Sequence, residues 1–494
     1  MTRNHSSRRN FLKQITSLGV MGTVGYLHSP MSMASAGTSI SELTSRVGGK
    51  VIPQNDENYE VWRQSMVWHV SKPDRTPEVI IQAQTEQDVI EAVNYARENN
   101  LQISLRSSGH NSAGAALRDG GLLLDLSLLR EVNIDKQKRI ATTQPGLWNN
   151  QLVDAAGKQG LAFPAAHCPT VAMGGYLLGG GMGWNHAHWG GIACHSIRSM
   201  EIVTANGKKI VASPKMNKDM YWAARGAGPG FFGVVTKYEL DLYQAPQTIM
   251  GSMYIHPLDN LKVVTDALEK LVEIKDERVE ILLLFMHNHQ APADMPQEQA
   301  KICFVGINAF ADSEVEAKSM LAPFAESQLA SKSVFKVENN PTTFHKLYNP
   351  ENVDTGRGRY AVDNDWTNDF SGALHALADH FKSSPSVRSH LLASLAMKSE
   401  LREDASFSKV ANHYLASYLV WNEEDKDEAN HEWLRKTNEL LQPFSEGHYV
   451  NEVAGDRYPE RYEASFSKAS WERLKVLRKK YDPDSVFHNY LGHG

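Results

Sequence analysis

Six of the ten residues from 174 to 183 are glycine: Gly174, Gly175, Gly179, Gly180, Gly181 and Gly183. A backbone so poor in Cβ atoms suits a place where the main chain must come close to a ligand or another segment. The stretch opens with His167-Cys168-Pro169-Thr170-Val171, which puts an imidazole and a thiol at its entrance. A second loop, Arg106-Ser107-Ser108-Gly109-His110-Asn111-Ser112-Ala113-Gly114, follows a short strand predicted over 101–105. Its successive N–H groups can wrap a pyrophosphate, with Arg106 adding positive charge nearby. Taken alone, a tight turn with a surface histidine explains that loop more economically. Neither loop carries the dinucleotide fingerprint, because after Gly181 and Gly183 the third glycine would fall at His186. No glycine-rich loop ends in Gly-Lys-Ser or Gly-Lys-Thr either. Rossmann and nucleotide-triphosphatase readings are set aside.

The 494 residues leave room for roughly two to four domains at ~150 residues each. Residues 78–83 read as a strand and 88–99 have helical periodicity, opened by the polar residues 85–87. Residues 121–126 and 132–142 read as further strands around turns. Beyond Pro246 the texture changes to longer helices, over 258–274 and 313–324, and to apolar strands over 281–286 and 302–307. A domain boundary is therefore expected at 243–246.

Charge and cysteine content narrow the classes. Lys and Arg number 51 against 57 Asp and Glu, a net charge of -6, with no dense basic run outside the N-terminus. That argues against nucleic acid as a partner. A 41% hydrophobic and 22% charged composition with a mean hydropathy of -0.41 is that of a globular chain, not of a polytopic membrane protein. Three cysteines, Cys168, Cys194 and Cys303, make neither a disulfide scaffold nor a four-cysteine zinc site. Cys168 is then read as chemistry, and the other two as apolar fillers.

The N-terminus reads as an address. Ser7-Arg8-Arg9-Asn10-Phe11-Leu12-Lys13 resembles the twin-arginine export motif, a short apolar stretch follows, and Ala34-Ser35-Ala36 suits a signal peptidase. The stretch is too short and glycine-rich to span a bilayer of ~30 Å. Residues 1–36 are read as a signal peptide, the mature protein as periplasmic or secreted without a stable membrane anchor, and the export machinery as a partner that takes folded, cofactor-loaded proteins.

Four motifs in order resemble the berberine-bridge-enzyme-like flavoproteins, within the larger family that binds FAD as vanillyl-alcohol oxidase does. The first loop is similar to that family's Arg-Ser-Gly-Gly-His segment, with Ser108 replacing one glycine. The second resembles its Cys-Pro-Thr-Val-Gly stretch. Residues 219–236, which include Gly233 and Val234, are similar to its Arg-Gly and Gly-Val-Val-Thr region. Residues 481–489, ending at Asn489, match its closing Tyr-Asp-Pro segment. The resemblance implies an α+β fold with a two-part FAD-binding domain of PCMH type over 73–246. It further implies a substrate-binding domain with a large antiparallel sheet over 247–446, and a segment 447–494 that returns to the FAD domain. The cofactor implied is FAD, tethered through His110 to the 8α-methyl carbon and through Cys168 to C6. Arg106, Ser107, Ser108, Gly109, Asn111, Gly114, Thr170, Val171, Gly174, Gly175, Gly179, Gly180, Gly181, Gly233, Val234 and Asn489 are expected to line it.

The family's base often ends a Tyr-x-Asn-Tyr motif, and here the chain reads Tyr449-Val450-Asn451-Glu452. Glu452 is the expected general base, with Tyr449 and Asn451 beside it; an exposed Glu452 is the competing reading. The next suspects are Tyr449 and then the carboxylates Glu400, Glu403 and Asp404. His186-x-His188 on a strand could hold a metal, but no third ligand is placed nearby in sequence and none is expected. The function expected is an FAD-dependent oxidase acting on a C–H of an alcohol, sugar or amine, with oxygen as the second substrate. Val171 resembles the family's oxygen-permissive residue. A dehydrogenase with an envelope acceptor and a non-catalytic flavin carrier are the alternatives.

Overall fold

The run Val79-Ile80-Ile81 is apolar on both sides, and it becomes the middle of a buried sheet, as such runs do when both faces are covered. In the computed structural model, which describes residues 33–292, 294–348, 357–397 and 399–488, this sheet holds β1 (Lys50–Pro53), β2 (Val79–Gln82), β3 (Ile103–Arg106) and β4 (Leu122–Asp125). Their order is β1-β2-β4-β3, with β1 antiparallel and the other three parallel. The expected helix begins two residues early, at Glu86, because Thr85 caps it: its hydroxyl accepts from Asp88 N–H and the Asp88 carboxylate reaches back to Thr85 N–H. This helix, Glu86–Glu98, packs between β4 and the second sheet.

The second sheet is antiparallel. Its strands are β5 (Val132–Asp135), β6 (Ile140–Thr143), β8 (Ile197–Thr204), β9 (Lys209–Ala212) and β10 (Gly233–Asp241), ordered β5-β6-β10-β8-β9. The short β7 (Leu161–Ala162) pairs with β11 (Tyr243–Gln244). The third sheet is the large one: β12 (Thr248–Pro257), β13 (Val279–His287), β14 (Lys301–Ala311), β15 (Phe335–Thr342), β16 (Arg359–Thr367), β17 (His390–Leu395) and β18 (His413–Trp421). Its order is β15-β12-β14-β13-β17-β18-β16, antiparallel throughout. The architecture is α+β. β14 runs longer than 302–307 because β12 and β13 pair with it along its whole length, a tertiary gain that local propensity does not register.

Period-2 alternation decides what the large sheet offers to each side. Odd-numbered residues such as Ile281, Leu283, Leu391, Ala393, Leu415 and Leu419 pack under the helices Leu261–Ile274, Glu314–Ala325, Phe370–Lys382 and Asp427–Leu441. Even-numbered Trp366, Tyr414, Ala416, Leu392 and Tyr418 join the core that contains the second sheet. Each large side chain buried there contributes roughly 1.5–3 kcal/mol. The face turned toward the glycine loops is thus aromatic and polar at chosen positions.

The last described segment returns to the first sheet. The Asp482 carboxylate accepts from Val486 N–H at 2.7 Å and Phe487 N–H at 3.0 Å, folding the Tyr-Asp-Pro stretch into a loop. That loop lays Phe487 parallel to Ile103, with Ile103 N–H donating to Val486 O at 2.7 Å. Asn489, and residues 7–13 with their arginine pair, lie outside the described residues. By contact the chain divides into residues 1–42 and 43–494, and everything below concerns the second unit. Among the described residues no helix is long and apolar enough to cross a membrane.

Candidate active site

The two glycine loops fold against each other. Gly174 opens the helix Met173–Leu178, and a Cβ there would stand 2.4 Å from Ser107 Oγ and 2.9 Å from Pro145 Cβ. Ser108 Oγ accepts from Ala172 N–H at 3.0 Å, which stitches the loops together at their start. Arg106 turns inward rather than outward: its guanidinium donates to the fully buried Asp125 at 2.9 Å and to Ser108 O at 3.2 Å. Its charge is spent on shaping the loop. Asn111 bridges outward, taking Ala115 N–H on its oxygen at 3.1 Å and donating to Asn451 O at 3.3 Å. Gly109 and Gly114 both have positive φ, as a loop of this curvature requires.

Thr170 joins the two nucleophiles. Its Oγ1 shares a hydrogen bond with His110 Nε2 at 2.9 Å and lies 3.8 Å from Cys168 Sγ. The His110 ring stacks on Trp68 with centroids 5.1 Å apart. Burial, with lesser contributions from Arg106 and His69, pushes its pKa down to about 4, so the imidazole is neutral and keeps a free lone pair at physiological pH. Cys168 is exposed, whereas Cys194 and Cys303 are buried and their thiols are pushed up in pKa by that burial, to about 12 for Cys194. The latter two are inert fillers, and the reactive thiol is the accessible one.

The carboxylate at the end of the 449–452 segment reaches the same place. Glu452 Oε2 accepts from Tyr418 Oη at 2.9 Å and from Tyr414 Oη. Burial raises the Glu452 pKa above its ordinary 4.5, outweighing both tyrosine hydrogen bonds and the charge of His167, which lower it. Tyr418 stacks on His390, centroids 5.1 Å apart, and its phenol feels the charge of Cys168. Glu452 is therefore half-buried and hydrogen-bonded, with a proton affinity moved toward neutrality.

Tyr449 and Asn451 have other partners. Tyr449 Oη accepts from Gly181 N–H at 3.1 Å and from Asn451 Nδ2 at 2.9 Å, and burial drives its pKa well up. Gly181 sits at φ +90°, and a Cβ there would meet the Tyr176 ring at 2.8 Å. Asn451 also donates to Gly175 O at 3.2 Å and fills the space beside Gly179. Both side chains clamp the glycine segment. Gly180 also has positive φ and is packed beneath Phe407. Val171 gives its carbonyl to Asn149. Gly233 and Val234 pair with Thr204 and Val203 inside the second sheet. Of the reserve carboxylates, Asp404 is ion-paired with the buried Arg225 at 2.8 Å.

Several contributors went unmarked in the sequence. Tyr414 and Tyr418 lie four apart on β18, hence on one face, and that alternation was the only available signal. Asn364 on β16 holds the Tyr449 backbone from both sides: its Oδ1 accepts from Tyr449 N–H at 2.7 Å and its Nδ2 donates to Tyr449 O at 3.0 Å. Nothing local to residue 364 announces a partner 85 residues away. The 183–192 stretch is a series of turns and not a strand, with positive φ at Asn185, Gly190 and Gly191. His188 there is exposed and pairs with Glu277 at 2.8 Å, while His186 is buried. Among the described residues no group of three or more His, Cys, Asp or Glu is placed to hold a metal.

With this geometry in place, comparison with known proteins is informative. Residues 77–213 match the FAD binding domain family. The FAD-linked oxidoreductase janO of Penicillium janthinellum is 26% identical over 436 residues, covering 86% of this chain and 93% of the relative. The (R)-6-hydroxynicotine oxidase of Paenarthrobacter nicotinovorans is 33% identical over 250 residues, 50% of this chain and 54% of that one. Berberine bridge enzyme from Eschscholzia californica superposes with a TM-score of 0.76 at 19% identity, covering 92% of this chain and 98% of that one. That last likeness is one of fold.

Proposed function

We propose that this chain, with its FAD binding domain, its likeness in fold to berberine bridge enzyme and FAD-linked oxidoreductases among its relatives, is an FAD-linked oxidoreductase of the berberine-bridge-like type, and that it is an oxidase. In this reading it oxidises a C–H bond next to an O–H or N–H, with Glu452 as general base. The observation that carries this is the convergence of Cys168, His110 and Thr170 with a carboxylate held by two tyrosines. FAD held by these loops would supply hydride acceptance from the substrate carbon and, in this reading, passage of the two electrons to oxygen.

The residues present fit that cofactor. Two loops poor in Cβ atoms pack on each other, and the neutral imidazole of His110 and the exposed thiol of Cys168 are both nucleophiles. We assign both attachments, through His110 and Cys168. Acid precipitation should leave the yellow colour in the pellet, and proteolysis should yield two peptides joined by one FAD. Colour released wholly into the supernatant refutes both links. His110→Ala should keep the cofactor through Cys168, with a lower potential and slower reduction.

Glu452 does its work by position and proton affinity. Its carboxylate accepts the O–H or N–H proton of the substrate while the two tyrosine hydroxyls hold it oriented. A dehydrogenase with an envelope acceptor is the second reading; Val171 beside Cys168 favours the oxidase. Rapid oxygen uptake with peroxide release, on a panel of alcohols, sugars and amines, separates the two.

The Arg8-Arg9 pair supports export of the folded, loaded protein. In a bacterial host, replacing both with lysine should strand an uncleaved precursor in the cytoplasm. Full activity outside the cytoplasm in that variant contradicts the assignment.

A further inference from the structure

Beside the candidate active site lies a cavity between the 183–187 turn and the large sheet, lined by His167, Asn185, His186, Glu280, Leu282 and Met397. Three of its polar atoms are acceptors without a partner. His186 is 95% buried, and its Nδ1 donates to Gly183 O at 3.0 Å, so in the neutral ring Nε2 carries a lone pair. That nitrogen has no hydrogen-bond partner. Nor does Asn185 Oδ1, and nor does Glu280 Oε2, although Glu280 Oε1 accepts from Asn185 N–H. His167 Nε2 lies 3.7 Å from Glu280 Oε2, too long for a hydrogen bond. Three buried acceptors therefore border one space without a hydrogen-bond partner, and the Lys275 ammonium lines the same space.

Such an arrangement is costly when empty. Each buried neutral acceptor left unpaired carries a desolvation penalty, and a carboxylate a larger one. The other charged groups on the cavity are already engaged: Lys275 donates to Val279 O at 2.9 Å, and Glu277 pairs with His188. An ammonium brings three N–H donors, one compensating charge and no lone pair of its own. A hydroxyl brings one donor together with acceptor lone pairs and no charge. No metal-holding group is present among the described residues.

We propose that this cavity is the subsite for the ammonium group of the substrate, so that the enzyme acts on amine-bearing molecules in preference to neutral alcohols and sugars. The proposal rests on the reading of the Cys168–Glu452 pocket as the active site. His167 ties the two together: it lines the cavity, precedes Cys168 in the chain, and its charge acts on Glu452. The cationic head would be held by Glu280, His186 and Asn185 while another carbon of the same molecule is presented to the flavin.

Calorimetric titration of the holoenzyme at pH 7 with n-butylammonium, n-butanol and potassium chloride tests this without turnover. The ammonium should bind at least tenfold more tightly than the alcohol. Glu280→Gln, which keeps an oxygen for Asn185 N–H and so preserves the turn, should weaken the ammonium at least tenfold and leave the alcohol unchanged. Equal affinities, an unaffected Glu280→Gln variant, or potassium competing as strongly as the ammonium overturns the proposal. Glu452→Gln separates this from the catalytic reading, since it should keep ammonium affinity within threefold while slowing flavin reduction. Loss of ammonium selectivity with Glu452→Gln still slow defeats the subsite alone. Intact selectivity with Glu452→Gln as fast as wild type defeats the base alone.

Discussion

Glu452→Gln is expected to reduce its flavin about 10²–10⁴-fold more slowly than the wild type, the range typical of a lost general base. The amide keeps the size of the side chain and an oxygen for the hydroxyls of Tyr414 and Tyr418, so the pocket should survive. The sign of the pH effect follows from the direction of the shift. Burial raises the Glu452 pKa above 4.5, so as pH falls through that raised value the carboxylate gains a proton and can no longer accept one. Wild-type reduction should therefore decline on the acid side with a midpoint above 4.5, and the glutamine variant should lack that limb. Stopped-flow reduction under anaerobic conditions reads both quantities. Tyr449→Phe should cost far less, because its phenol oxygen serves Gly181 N–H and Asn451 and not Glu452. Reduction at the wild-type rate in Glu452→Gln moves the base elsewhere.

Asn364→Leu carries the second large effect, this time on stability first. Leucine matches the volume but supplies neither bond to the Tyr449 backbone. A buried N–H and C=O left unpaired cost about 1–3 kcal/mol each, together roughly 2–6 kcal/mol, which is a large share of a typical folding free energy. Urea unfolding should show a correspondingly lower midpoint. Asn364 is a positioning residue, because the segment it holds ends in Glu452. The variant's reduction rate should fall, and the acid limb should move as the carboxylate's surroundings change. A variant with wild-type stability and an unchanged acid limb shows that the segment is held by its other contacts, among them Ala454 N–H to Asp363.

The division of labour in the candidate site has a physical cause. Glycine spacing, a thiol three residues from the first apolar turn and an Arg-Ser-Ser-Gly-His loop are local properties, so they were legible from the chain. So were the apolar strands over 281–286 and 302–307 and the helices over 258–274 and 313–324. What those signals could not convey is which side chain meets which across long loops. The sequence allowed Arg106 to face an anion; the fold pairs it with Asp125, because a buried carboxylate on the neighbouring strand needs a cation more than the loop does. Tyr449 and Asn451 stood beside the expected base in the chain, yet the fold turns them back onto the glycine segment, whose close approach leaves N–H and C=O groups to satisfy.

By itself, then, the sequence determined the two glycine-bearing loops, the placing of His110 and Cys168 in them, and the apolar strands of the large sheet. These are short-range facts, set by backbone freedom, side-chain chemistry and period. Only the tertiary structure decided that Tyr414 and Tyr418 hold Glu452, that Asn364 carries its segment, and that His186, Asn185 and Glu280 enclose an acceptor-lined cavity. Each of these depends on bringing together residues 34 to 95 positions apart, and burial sets the proton affinity of Glu452 only once that has happened.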